Sequence, residues 1–144
     1  MEKTGTALDG FPQPPCAKLL GFEFLSVDRE ALSMRVAFQA TPDMLNPAGT
    51  VQGGFLTAML DDVMGSMLVV LSDGEKAPAS VDLHMQFLRP AKPGRLVGEA
   101  RVKHQTNSTA FTEATLYDEA GAALAAATQT QRLFPVRRRR NGEA

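Results

Sequence analysis

Several features are missing from this chain of 144 residues, and each absence narrows what it can be. It has a single cysteine, Cys16, so no internal disulfide can brace it. Its 15 basic and 16 acidic residues leave a formal charge of −1, so no whole-chain field gathers nucleic acid or an anionic membrane. The longest largely apolar stretch, Val63 to Leu71, is broken by Gly65 and Ser66 and falls short of the roughly 20 residues that span a bilayer. His84 and His104 stand on separate segments, with no cysteine or carboxylate at ligand spacing, so neither a metal nor another cofactor is expected. The start of the chain does not combine a basic stretch with an apolar one in the manner of an export signal. The expectation is a cytoplasmic protein without nucleic-acid or membrane partners.

A hydrophobic share of 44% suits a single globular domain. Residues 1–13 carry no periodicity and read as a flexible lead-in, residues 14–134 as the domain, and residues 135–144 as a flexible basic tail around Arg137 to Arg140. A short helix is expected from Pro14 to Gly21, since proline suits a first turn and glycine a left-handed end. Leu32, Met34, Val36 and Phe38 then alternate with small or polar residues, the period of a strand with one buried face, and Phe22 to Val27 is its hairpin partner. Gly53 and Gly54 open a run to Leu71 whose apolar residues point in every direction on a helical wheel. Such a helix is expected to be wrapped on all sides. Four strands follow, Ser80 to Arg89, Arg95 to His104, Thr109 to Tyr117 and Ala122 to Phe134, with short turns that imply an antiparallel meander. The fold class is α+β, an antiparallel sheet around a long central helix.

Within that helix Asp61 and Asp62 are the physical anomaly, because a carboxylate in a dry segment must be hydrogen-bonded, near water or in use. Adjacent helical residues point about 100° apart, so the two acids do not converge on one bond as in glycosidases or aspartic proteases. Asp61 is the candidate for chemistry and Asp62 reads as structural. At the helix start, Gly53 and Gly54 leave backbone N–H groups uncovered at the positive end of the dipole, where they can donate to a carbonyl oxygen gaining charge. The bland alternative is that these glycines only allow close packing.

These residues form a spaced set: Asn46-Pro-Ala-Gly-Thr-Val-Gln52-Gly53-Gly54, followed by Asp61, and then Ala79-Ser-Val-Asp-Leu-His-Met-Gln-Phe-Leu-Arg-Pro-Ala91. The set resembles the hotdog-fold acyl-CoA thioesterases of the phenylacetate-degradation (PaaI-like) type. That family carries an Asn, a His-Gly-Gly and an Asp at the same offsets, and the resemblance spans residues 15–134. It implies hydrolysis of an acyl-CoA thioester to free acid and CoA in a homodimer or a dimer of dimers. Asp61 is implied as the general base or nucleophile, the Gly53 N–H as the group polarising the carbonyl, and Asn46 as holding water or the carboxylate. Gly54, Ser80 and Arg89 are the candidates for substrate binding; the resemblance implies for Ser80 a hydroxyl that orients water, and for Asp61 a place facing the loop of the partner chain. Gln52 departs from the pattern: it donates and accepts hydrogen bonds as the family's histidine does, but it cannot shuttle a proton near neutral pH.

A thioester carbonyl is less resonance-stabilised than an ester's, which fits the absence of a G-x-S-x-G nucleophile elbow. Two other readings stay open, an acyl-CoA hydratase or dehydratase and a non-catalytic acyl-CoA-binding protein. Cys16 reads as a packing residue, the helix methionines as core and acyl-pocket lining, and Arg89, Lys92 and Arg95 as solvated or phosphate-facing cations.

Overall fold

The computed structural model describes residues 2–137, so Arg138 to Arg140 of the expected basic tail lie outside the described residues. The elements run α1 (Pro15–Leu20), β1 (Glu23–Asp28), β2 (Ser33–Ala40), α2 (Gly53–Leu71), β3 (Lys76–Phe87), β4 (Gly94–Gln105), β5 (Thr109–Tyr117) and β6 (Ala123–Pro135). All pairings are antiparallel, in the order β1-β2-β4-β5-β6-β3, and α2 packs against the sheet in the expected hotdog arrangement.

Pro15 opens α1, and Gly21 ends it at φ +67°, its amide donating to the carbonyl of Ala17. A Cβ at position 21 would also sit 2.7 Å from Gln39 Cβ, so glycine is required there twice over. The helix buries Ala17 and Leu20, one turn apart, which turns Cys16 outward; it is exposed and not a packing residue. In the β1–β2 hairpin Asp28 Oδ1 accepts from the amides of Glu30 (3.1 Å) and Ala31 (2.9 Å), which fixes the turn. Leu32 falls in that turn at φ +53° and is exposed, so the buried stripe starts at Met34 and not at Leu32.

The expected meander holds for β4, β5 and β6 but not for β3, which pairs with β6 on the far side of the sheet. The reason lies in the connection after Phe87. Pro90 and Pro93 lack ladder donors, so a tight β3–β4 hairpin cannot form. The segment instead crosses under the loop before α2, where Ala91 is buried and its carbonyl accepts from Val51 N at 2.8 Å. This leaves β3 as an edge strand, with Val81 66% and Phe87 56% exposed.

On α2, Leu56, Met59, Leu60, Val63, Met64, Met67, Leu68 and Val70 are buried against a core that includes Met34, Val36, Phe38, Leu96 and Leu116. Each such large side chain contributes about 1.5–3 kcal/mol by leaving water. At 19 residues and mean hydropathy 1.6, α2 matches a membrane span in length and composition, yet in this fold it is the core helix. Its wrapping is incomplete: Asp61, Asp62, Gly65, Ser66 and Val69 are half-buried, because the gap between β1 and β3 leaves that face open.

The lead-in is also more structured than its composition suggests. Residues Ala7–Gly10 form a 3-10 turn capped by Thr6, and the Asp9 carboxylate accepts from the amides of Thr4 (2.7 Å) and Gly5 (2.8 Å). Leu8 packs on the core, which brings this segment over the open side of α2.

Candidate active site

A cavity of about 850 Å³ lies along the open face of α2. Its apolar walls include Leu8, Ala17, Phe22, Phe24 and Val69. Asp61, Asp62, Ser80 and Gln131 supply polar groups. The lead-in forms part of the wall.

Asp61 is anchored at this cavity. Its Oδ1 accepts from Ser80 Oγ at 2.8 Å and from Gln129 Nε2 at 2.5 Å, and the same nitrogen donates to Ser80 Oγ at 2.7 Å. A bulge at Val81 makes this contact possible. Ser80 pairs with Gln131, and Leu83 with Gln129, so both face inward although three residues apart, which an unbroken strand forbids. Gln129 is 3% and Gln131 1% exposed, and Thr112 Oγ1 donates to Gln131 Oε1 at 2.8 Å. Asp62 Oδ2, Gln129 Oε1 and Gln131 Nε2 are buried with no hydrogen-bond partner among the described residues. The reading of the sequence missed the two glutamines. Their signal was their place at alternate, inward positions of the strand Ala122 to Phe134, among alanines.

Asp62 also lines the cavity. Burial, and then the neighbouring Asp61 charge, push its carboxyl up to about 6. The folded state therefore binds this proton more tightly than the unfolded chain does. The resulting stabilisation is complete below the ordinary value of 3.8 and is lost as pH rises through about 6. Asp62→Asn cannot ionise, so its melting temperature is expected to exceed the parent's above that pH, with the gap closing toward pH 4. Thermal melts across the range test this, and a gap independent of pH would refute the assigned cause.

The other expected site residues lie elsewhere in the chain. Asn46 is committed to its own loop: Oδ1 accepts from the amides of Ala48 (3.0 Å) and Thr50 (3.1 Å), and Nδ2 donates to Thr50 Oγ1 (3.0 Å). With the Leu45–Val51 bridge and Gln52 N donating to Met44 O at 2.8 Å, this loop sets where α2 begins. No acceptor among the described residues takes the amide of Gly53 or Gly54. The Gln52 side chain is exposed and folds over Gly54, where its Oε1 would lie 2.6 Å from a Cβ; the Phe87 ring would lie 3.1 Å from one on Gly53. Eight residues of helix separate Gly53 from Asp61, about 12 Å at 1.5 Å per residue, so one chain cannot bring them to one carbonyl. Arg89 and Lys92 are exposed beyond β3, and Arg95 pairs with Glu23 at 2.7 Å. Asp61 and Ser80 are thus brought together, whereas Asn46, Gln52, Gly53 and Gly54 lie in the loop before α2 and its first turn, and Arg89 lies beyond the end of β3.

Comparison with known proteins agrees with this architecture. Residues 48–125 match the family described as the thioesterase superfamily. A phenylacetic acid degradation-related protein of Ralstonia eutropha JMP134 is 37% identical, and the match covers 88% of this chain and 95% of that one at a TM-score of 0.81. The PaaI protein of the E. coli phenylacetic acid degradation operon shares the fold at 24% identity, covering 85% and 86% of the two chains with a TM-score of 0.76. A Streptococcus mutans protein, smu.793, solved bound to acetyl CoA, shares it at 19% identity, covering 81% and 91% with a TM-score of 0.71. A comparison with curated protein sequences returned no match. The matched segment contains the glycine-led start of α2, Asp61 and Ser80 together, and on it the chain belongs to the thioesterase superfamily.

Proposed function

We propose that this thioesterase hydrolyses an acyl-CoA, with Asp61 as the general base and the Gly53 N–H of a second subunit as the carbonyl-polarising group. The observation that carries the reading is the Asp61 carboxylate, held through Oδ1 by Ser80 and Gln129 beside a largely apolar cavity. With Oδ1 engaged, Oδ2 is the atom available to take a proton from water. The water oxygen then bonds to the thioester carbon, and the carbonyl oxygen becomes an oxyanion facing an unsatisfied amide at the positive end of a helix. Collapse of the tetrahedral intermediate breaks the C–S bond, and Asp61 returns its proton to the departing sulfur.

Two features support a shared site. One is the distance of about 12 Å along α2, which a single chain cannot close. The other is the edge strand β3, whose 12 residues carry exposed Val81 and Phe87 and suit continuation of the sheet into a second copy. The acetyl CoA bound by the Streptococcus mutans protein favours CoA as the carrier.

The experiment is a hydrolysis screen over short, medium, long-chain and aromatic acyl-CoAs, read by release of free CoA thiol and by product mass. Thiol release from at least one class is expected. Water addition without thiol release would instead indicate a hydratase, and tight binding without turnover on every class would indicate a binding protein.

A further inference from the structure

We infer that Gln129 is the positioning residue for Asp61, tying its carboxylate and the Ser80 hydroxyl into one closed ring of hydrogen bonds. The inference rests on Asp61 acting as the base.

The donor count determines the direction of each bond. A carboxylate only accepts, so the single Ser80 proton goes to Asp61 Oδ1 and leaves the hydroxyl oxygen to accept. The two Gln129 amide protons serve these two acceptors, at 2.5 Å to Asp61 Oδ1 and 2.7 Å to Ser80 Oγ. The opposite amide orientation would set Oε1 against the carboxylate and lose both bonds. The orientation adopted instead leaves Oε1 buried without a partner among the described residues.

A side chain retained for packing alone would not carry that orphan, since methionine fills similar space without desolvating an amide. The cost is incurred where it fixes the carboxylate rotamer and presents Oδ2. Placement in the sheet supports this role. Ser80 sits beside the bulge that breaks the β3 ladder, whereas Gln129 is paired without a break on both sides, between Thr112 of β5 and Leu83 of β3. Gln129 is therefore the more rigid support of the two.

The test uses the full-length protein and the acyl-CoA that the parent hydrolyses fastest. Gln129→Met is expected to lower kcat about 10- to 100-fold with KM within about twofold, because a misplaced base slows the chemical step rather than binding. Its melting temperature is expected to be no lower than the parent's, since the orphan carbonyl is gone.

Gln129→Glu keeps the shape but donates only while its new carboxyl is protonated. The charged group facing it is Asp61 of α2, with Asp62 the next residue along that helix, while β3 and β5 present neutral Ser80, Leu83 and Thr112. Its activity is expected to be highest at acid pH and to fall as pH rises, opposite to a parent whose base must ionise. Parental kcat in Gln129→Met overturns the inference. So does loss in both variants that follows melting temperature, with no reversal of the pH profile. Asp61→Asn is measured alongside: if it is inactive while Gln129→Met is unimpaired, the inference alone fails, and if it turns over like the parent, the proposed function fails with it.

Discussion

Asp61→Asn is expected to lower thiol release by about three orders of magnitude, in the middle of the range for a lost general base. The substitution keeps the shape of the side chain and leaves an amide oxygen that still accepts from Ser80 and Gln129, so the anchoring ring survives. Basicity alone is removed. Melting temperature and subunit assembly should therefore match the parent's while acyl-CoA hydrolysis collapses. A variant that releases thiol at the parental rate would move the chemistry away from Asp61, and one that fails to fold would show the carboxylate to be structural.

The second large effect concerns the start of α2. Gly53→Pro removes the N–H assigned to the carbonyl while suiting the backbone. Proline is favoured as the first helical residue, and Gln52 before it already has φ −62° and ψ 135°, the extended geometry that a following proline demands. The Phe87 ring must shift slightly, since it lies 3.1 Å from a Cβ at this position. Turnover is expected to fall about 100- to 1000-fold, the usual effect of losing one oxyanion donor. Unfolding and refolding this variant together with Asp61→Asn then decides where the two groups meet. If each site takes its base from one subunit and its amide from another, a hybrid dimer retains one intact site. A random mixture of two inactive variants should then recover about a quarter of parental activity. No recovery would mean that the amide of Gly53 and the carboxylate do not cooperate across subunits.

Much of this arrangement was legible in the chain itself, for reasons that are local. Helix α2 was visible because nearly twenty residues without proline follow two glycines, and α1 because proline and glycine stand at its ends. The strands from Arg95 onward were bounded by turn residues within a residue or so. Asp61 was identifiable because a carboxylate in an apolar helix has few inexpensive explanations. Gln129 was overlooked because, on its strand, it looked like any polar residue of a half-exposed sheet. Only the knowledge that this alternate position faces α2 makes it unusual. Ser80 was noticed by family likeness alone, because the bulge that turns it toward α2 leaves no mark in the strand's sequence.

The amino-acid order alone determined the element types and the fold class, and it singled out Asp61 as the candidate for acid–base work. All follow from periodicity, turn chemistry and the cost of burying charge, which act over a few neighbours. Tertiary structure decided that β3 leaves the meander to become an edge beside β6 and that a bulge at Val81 turns Ser80 toward the helix. It also decided that Gln129 meets Asp61 across 68 residues of chain, and that the open face of α2 becomes a cavity walled by the N-terminal segment. These outcomes depend on which strands pair and on the geometry of that pairing, long-range choices that no local pattern encodes.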